Sequence, residues 1–505
     1  MTLKIISTTD IHGAIFPTDY TSKEQTNEFG LARISSYLKE IRANTDVLYI
    51  DNGDAFQGTP LCTYAHQHLD EYTHPIAQAF NSMQLDYYNL GNHDFNYGKE
   101  VLFKFISDNK AKLLTSNVLF EGKPLGRTEI ITFENKKIAL IGVLTHYIPN
   151  WEQPKHIEGF EFLDAFETLQ NEVNAIKNSV DYVIGFYHGG LERDPHTGEP
   201  TERLTKENQG YEMTSIKGLD ILVTGHQHRN LIETINNVLV TQCTLKTQKF
   251  VEIDLDLNAN IKKAKLIETF NLPVDNELLK PLLPIYNKVQ SWLDQPVGSF
   301  NGLDLTVTDA FEARVNKHPL VSFINHVQQL RTGAQLSAVS LFDGVTGFKQ
   351  TVSMRDLVST YLYPNTLVVK RISGKTLKEM LEFSAYYFAI DTKGNLTFSP
   401  EYQNPKPQHY NYDMFDGIEY TINVLKPRDS RIVALTYQGK PIIDSDSFTI
   451  VLNNYRAMGG GNYWMIQESE TIYEDSVEMI DVIMEYFQKY SPVEVIHNNN
   501  ITIKY

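Results

Sequence analysis

The chain has 505 residues, 42% of them hydrophobic and 21% charged, which is enough apolar material for two or three cores. Its 45 basic and 62 acidic residues leave a formal charge of -17, which excludes a general phosphate-backbone surface and argues against duplex nucleic acid as a partner. Cys62 and Cys243 support neither a disulfide framework nor a thiolate zinc cluster, and no stretch has the roughly 18 consecutive apolar residues of a membrane span. The opening MTLKIISTTD turns polar before a signal-peptide core can form. The expectation is a cytoplasmic protein if this is the natural N-terminus and an extracytoplasmic one if a leader has been removed.

The first half repeats one pattern, a short apolar run ending in Asp, Asn, Gly or His, followed by a longer mixed segment. The runs are LKIISTTDIHG (3–13), VLYIDNGD (47–54), YYNLGNHD (87–94), IALIGVLTH (138–146), YVIGFYHGG (182–190) and ILVTGHQH (221–228). Leu31, Ile34, Leu38 and Ile41 recur at helical spacing and predict a helix over 29–43. Strand followed by helix, repeated, predicts an α/β domain with its chemistry at strand ends. Residues 251–270 read as strands that close this domain. A leucine-rich segment follows at 276–293, interrupted by Pro281 and Pro284, and predicts a connecting helix after Pro284. The expected division is 1–272 catalytic, 273–297 connecting, 298–505 C-terminal. In the last part, 318–333 and 373–388 predict helices, while NTLVVKRI, GIEYTINVL, RIVALTY and SFTIVLNN predict strands. The Pro/Asn/Tyr-rich stretch 400–417 reads as a loop packed against the domain.

Singly, the polar residues that end these strands carry little information: an Asp before a helix is often a cap, and a lone histidine is often structural. Together they form an ordered series, DIH, NGD, GNHD, HGG and GHQH, each at a predicted strand terminus. Carboxylate, amide and imidazole donors without thiolates suit Zn, Mn, Fe or a similar divalent ion. Seven candidates exceed one site and suggest two ions sharing a bridge. Asp54 is the central carboxylate, with Asp10, His12 and His228 on one side and Asn92, His188 and His226 on the other. A metal pair can activate water and neutralise phosphate oxygens, the chemistry of phosphoester hydrolysis. His93, beside Asn92, is then a donor to phosphate or leaving oxygen. No G-x-x-x-x-G-K-[ST] loop supports ATPase chemistry.

The pieces TTDIHG, IDNGD, LGNHDFNYG, YHGG and TGHQH, in this order, resemble the calcineurin-like metallophosphoesterase domain of the bacterial 5'-nucleotidase superfamily. NNYRAMGGGNY (453–463) carries the resemblance into the second half. NEFGLARI (27–34), VLYIDNGDAFQGTPL (47–61), LGNHDFNYG and YLYPNTLVV (361–369) are most similar to its 2',3'-cyclic-nucleotide 2'-phosphodiesterase/3'-nucleotidase branch. The resemblance implies a four-layer α/β/β/α metal domain followed by a smaller α+β nucleotide-recognition domain, with two divalent ions and a small nucleotide substrate. It implies the same seven ligands, with His93 near the reacting phosphate. Relatives active on 5'-nucleotides commonly place an aspartate three residues after that histidine, where this chain has Asn96. Asn96 can orient His93 through its carbonyl but supports a charged imidazole less strongly. The resemblance also implies that Tyr412 and Tyr455 stack on the base, with Asn453, Asn454 and Arg456 as ribose or phosphate contacts. SLFDGVTGFKQ (340–350) lacks an arginine found in 5'-nucleotidases, and Gly461 stands where some of them carry an acidic residue. The implied reaction is opening of 2',3'-cyclic phosphates and removal of the 3'-phosphate. Alternatives are a 5'-nucleotidase, a UDP-sugar or nucleotide-diphosphate hydrolase, and a noncatalytic nucleotide-binding module. Oligomeric state is left open.

Overall fold

The computed structural model describes residues 2–23, 29–259, 261–361, 363, 365–404, 407–475 and 477–505. Asn27 and Glu28 of NEFGLARI, Leu362 and Pro364 of YLYPNTLVV, and Pro405 and Lys406 of the expected loop lie outside the described residues. The chain forms two compact units, Met1–Gln290 and Ser291–Tyr505. Among the described residues no helix is long and apolar enough to cross a membrane.

In the first unit, the apolar runs become strands of two six-stranded sheets. One sheet has the order Ile261–Glu268, Lys249–Asp256, Thr2–Thr8, Val47–Asn52, Tyr87–Asn89, Lys112–Leu113; the other has the order Leu231–Ile235, Val238–Gln242, Ile221–Thr224, Tyr182–His188, Lys136–Leu144, Glu129–Phe133. The strands that precede the polar motifs run parallel to one another within each sheet, while Thr2–Thr8 is antiparallel to Lys249–Asp256 on its other side. Parallel strands buried on both faces need apolar side chains at odd and even positions alike. Lys136–Leu144 meets that demand: Ile138 and Leu140 face the other sheet, whereas Ala139, Ile141 and Val143 pack with Leu169 and Val173 of the helix Ala165–Ile176. Asp164 caps this helix, its Oδ1 accepting from the Glu167 amide at 3.1 Å.

Across the middle layer, Leu3, Ile5, Leu48, Ile50 and Tyr87 meet Ile184, Phe186, Ile221 and Val223. The far face of the first sheet is covered in turn by helices. Tyr37 of Leu31–Arg42 packs 5.2 Å from Phe250, and Phe105 of Gly98–Asp108 lies 5.6 Å from Tyr88. The layers are therefore helix, sheet, sheet, helix. The leucine-rich segment forms Asn276–Leu279, a 3-10 turn Lys280–Leu282 and the helix Leu283–Leu293, whose first turn accommodates Pro284.

The second unit is built on a five-stranded sheet in the order Asp413–Asp416, Leu336–Ser340, Ser447–Asn453, Leu367–Ser373, Glu470–Glu474. A four-stranded sheet contains Lys440–Pro441, Ile432–Tyr437, Glu419–Asn423 and Ile501–Lys504. Helix Pro319–Thr332 stops at Gly333, whose φ of 70° is the left-handed conformation glycine adopts at low cost. Two expectations are corrected here. The helix predicted to reach 388 ends at Ala385, because Phe388–Ile390 pairs with Leu396–Phe398. The end of the expected loop 400–417 is a strand, Asp413–Asp416, antiparallel to Leu336–Ser340; two aspartates in its four residues mask strand propensity, and burial in the sheet overrides it.

Ile184 has no exposed surface at the centre of the inter-sheet layer. Ile184→Ala should lower unfolding stability by about 2–5 kcal/mol, read from the shift of a urea or thermal transition.

Candidate metal centre

The parallel strands of both sheets deliver their polar residues from their C-terminal ends, where ligands gather in open α/β sheets. Thr2–Thr8 leads to Asp10 and His12, Val47–Asn52 to Asp54, and Tyr87–Asn89 to Asn92 and His93; Tyr182–His188 ends on His188, and Ile221–Thr224 leads to His226 and His228. Strand parity aims two of these termini inward. His188 continues the side of Ile184 and Phe186, and Asn52 that of Leu48 and Ile50.

The structure brings together all seven candidate ligands. Asp10, His12 and His228 form one group and Asp54, His188 and His226 another, with donor atoms in each within 4.8 Å of one another. His228 Nε2 lies 3.3 Å from both Asp10 Oδ1 and His12 Nε2. His188 Nε2 lies 3.2 Å from Asp54 Oδ2, and Asn92 Oδ1 lies 2.8 Å from His226 Nδ1. Asp10, His12, Asp54, Asn92 and His188 are buried, while His93, His226 and His228 are partly accessible.

These residues fit a cation. His12 Nδ1 donates to Gln57 O at 2.9 Å and His188 Nδ1 to Asn52 O at 2.7 Å, so each ring turns Nε2 inward as the atom that would meet a cation. His226 is oriented the other way, its Nε2 contacting Glu207 Oε1 at 3.0 Å and its Nδ1 turned toward Asn92. Asp54 Oδ2 and His188 Nε2 are buried and face each other at 3.2 Å outside good hydrogen-bond geometry, an expensive arrangement unless a positive charge serves the carboxylate. The electrostatics agree. Burial alone depresses an imidazole, yet the charge of Asp54 overrides it and raises His188 to about 10, so a proton on His188 supplies positive charge that a bound cation would displace. Burial brings His12 down to about 3, which keeps it neutral as a ligand must be.

The backbone is bent to achieve this. Asp10, His12, Asp54, His226 and His228 have φ between 50° and 68°, the left-handed region that side chains other than glycine rarely occupy. Asp94 fastens two of the loops, accepting from the amides of Gly91 at 2.8 Å, Asp54 at 3.1 Å and Ala55 at 3.0 Å. Gly91 must be glycine, since a Cβ there would stand 2.2 Å from Asp54 Oδ1.

His93 and Asn96 also meet here. The His93 amide donates to Asp54 Oδ1 at 2.7 Å, and its Nδ1 lies 2.7 Å from Asn96 Oδ1. Several neighbours were not singled out from sequence. Glu207 holds His226, Trp151 stacks on that ring at 5.6 Å, and Glu152 accepts from Asn96 Nδ2 at 2.6 Å. They sit on intervening segments without a periodic signal. Asn52 and Asn89 were also passed over, although both stand at inward positions of their strands.

The residues expected to hold a nucleotide fare differently. Tyr455 is half-buried. Tyr412 is corrected: its ring has no exposed surface, stacks on Tyr387 at 4.8 Å and meets Phe388 at 5.0 Å, so no face is open to a base. Arg456 is corrected as a ligand contact too, being 3% exposed, paired with Asp413 at 2.8 Å and lying 4.0 Å over the Tyr463 ring. Asn453 caps Asn454–Ala457 by accepting from the Arg456 amide at 2.7 Å, and Asn454 Oδ1 accepts from the Thr366 amide at 3.1 Å. Gly461 admits no acidic side chain in this conformation, because a Cβ would stand 2.0 Å from Asn411 Oδ1 and 2.3 Å from Arg456 Nη1.

Residues 3–230 match the calcineurin-like phosphoesterase family model, and residues 296–468 match the 5'-nucleotidase C-terminal domain. The chain is similar to a solved candidate 5'-nucleotidase from Staphylococcus aureus, with 32% identity, a TM-score of 0.92 and 100% of both chains covered. A trifunctional nucleotide phosphoesterase protein from Bacillus subtilis is 27% identical over 99% of this chain, which spans 39% of that protein. A 2',3'-cyclic-nucleotide 2'-phosphodiesterase/3'-nucleotidase from Haemophilus influenzae is 26% identical, covering 99% of this chain and 86% of that one.

Metal-stripped protein titrated with Mn or Zn should bind about two ions per chain by elemental analysis. Asp54→Asn and Gly91→Ala should each lower that number and shrink the rise in thermal midpoint that the ions give the parent protein.

Proposed function

Since the chain belongs to the calcineurin-like metallophosphoesterase/5'-nucleotidase superfamily, we propose that it opens nucleoside 2',3'-cyclic phosphates to 3'-nucleotides and hydrolyses 3'-nucleotides to nucleosides and phosphate. The observation that carries the reading is the pair of ligand groups, each with two buried members and one partly accessible histidine, with Asn96 in contact with the adjoining His93.

Asp10, His12 and His228 would hold one divalent ion and Asn92, His188 and His226 the other, with Asp54 shared. Such ions, when bound, polarise phosphate oxygens and make water nucleophilic at neutral pH. His93 holds or gives a proton at Nε2, toward the phosphoryl group or the departing oxygen, while Nδ1 is engaged by Asn96. Asp54 Oδ1, accepting from the His93 amide, fixes this residue relative to the ligands. The choice of a cyclic substrate is supported by Asn96 and by the names of the Haemophilus, Salmonella and Yersinia relatives, 26–27% identical to this chain. For the base, half-buried Tyr455 offers a stacking face, and Tyr410, also half-buried, takes the part first given to Tyr412.

The name of the Staphylococcus relative makes AMP the necessary comparison. With Mn supplied, kcat/KM on 2',3'-cyclic AMP and 3'-AMP should exceed that on AMP by at least about tenfold, measured as product formation; equal or faster turnover of AMP overturns the substrate reading. His93→Asn should reduce kcat by about 10²- to 10⁴-fold. Tyr455→Ala should act mainly on KM, by about tenfold.

A further inference from the structure

Asn96 poses a problem that the rest of the site does not solve. A carboxamide can turn over and present either its oxygen or its nitrogen to His93, and the two choices demand opposite tautomers of the ring. An unrestrained Asn96 would leave the proton of His93 undefined.

Glu152 removes the ambiguity. Its Oε2 lies 2.6 Å from Asn96 Nδ2, and a carboxylate can only accept. The amide nitrogen must therefore point to Glu152 and the amide oxygen to His93. That oxygen is 2.7 Å from His93 Nδ1, which must then carry the hydrogen. Glu152 is itself fixed: Oε1 accepts from His156 Nδ1 at 2.8 Å and from the Gln153 amide at 2.8 Å, and the side chain is only 6% exposed. Glu152 is thus pinned on one oxygen and dictates through the other.

We propose that Glu152 is a positioning residue that sets the orientation of Asn96 and, through it, the Nδ1–H tautomer of His93, so that Nε2 is the nitrogen presented to the substrate. The inference deepens the proposed phosphoesterase reading and rests on it for its kinetic consequence. It also makes Asn96 and Glu152 an interdependent pair. Asn96→Asp would put two carboxylates in contact, and Glu152→Gln would keep its oxygen on the Gln153 amide, turn its nitrogen to Asn96 and favour the turning over of that amide. An aspartate at 96 opposite a glutamine at 152 restores one unambiguous chain, with the glutamine donating to the aspartate and His93 Nδ1–H donating to its other oxygen.

The test is a double-mutant cycle with kcat and KM measured separately on 2',3'-cyclic AMP, together with 15N spectra of histidine-labelled protein in which the His93 signal is assigned by its loss in His93→Asn. Glu152→Gln should lower kcat about tenfold with KM nearly unchanged. Asn96→Asp should lower it more, by about a hundredfold. The double variant should regain activity to within about tenfold of the parent, a rescue that independent sites do not show. The parent spectrum should report Nδ1–H at His93, and Glu152→Gln should shift it toward a tautomer mixture. Effects that multiply without rescue, or a neutral His93 ring in the parent carrying its hydrogen on Nε2, would overturn the assignment. A parent that fails to turn over cyclic nucleotide defeats the substrate reading instead, and the tautomer measurement still decides the role of Glu152.

Discussion

The metal centre depends on how the two sheets are tied together directly below it. The inter-sheet layer is apolar through Ile50, Tyr87, Ile184 and Phe186, then changes character at the next inward position. Asn52 Nδ2 reaches across to Tyr187 O at 3.1 Å and Val223 O at 3.3 Å, and Asn89 Nδ2 reaches Val143 O at 2.7 Å and Phe186 O at 3.2 Å. Both amides are buried, and Asn89 also donates to Asn52 Oδ1 at 3.1 Å. A buried amide left without partners costs free energy, so each of these bonds specifies one alignment of the sheets. Asn52 O further anchors His188 Nδ1. The ligand spacing is thereby inherited from the packing of the two sheets.

This arrangement explains which parts of the molecule can be read directly from sequence. Each ligand ends a strand or follows it within four residues, and the strands stand out as apolar runs, so the end of each run carries the ligand positions to within a few residues. His188 and Asp54 are examples. The same pattern yields the middle layer, because parallel strands show it on both faces. Glu152 and Glu207 reach the centre from segments with no period, and their roles appear only when folding brings them beside Asn96 and His226.

The second unit is harder to read because its motif residues have two uses. Tyr412, Asn453 and Arg456 look like ligand contacts by residue type, since aromatic, amide and guanidinium groups are what nucleotides require. In the structure they complete a buried network. Arg456 spans Asp413, the Tyr410 carbonyl, Gly460 O and the face of Tyr463, and Tyr463 OH donates to Asn411 O at 3.0 Å. A desolvated arginine is tolerable only when its charge is met, which the Asp413 carboxylate 2.8 Å away supplies. The network ties together the segments that carry Tyr410 and Tyr455.

Bending the ligand loops has an energetic consequence for the whole unit. A non-glycine residue in the left-handed region costs of order 1 kcal/mol, and Asp10, His12, Asp54, His226 and His228 all lie there. Together they withdraw several kcal/mol, a substantial part of the roughly 5–15 kcal/mol by which domains are stable. The middle layer and the amide ties offset this cost, and Asp94 spreads it over three amides. A cation adds its own free energy only to the bent form, since the ligands are not assembled in the unfolded chain. Metal affinity and folding stability are therefore coupled through the same five backbone conformations, and relaxing any one of them returns its cost to the fold while loosening the hold on a cation.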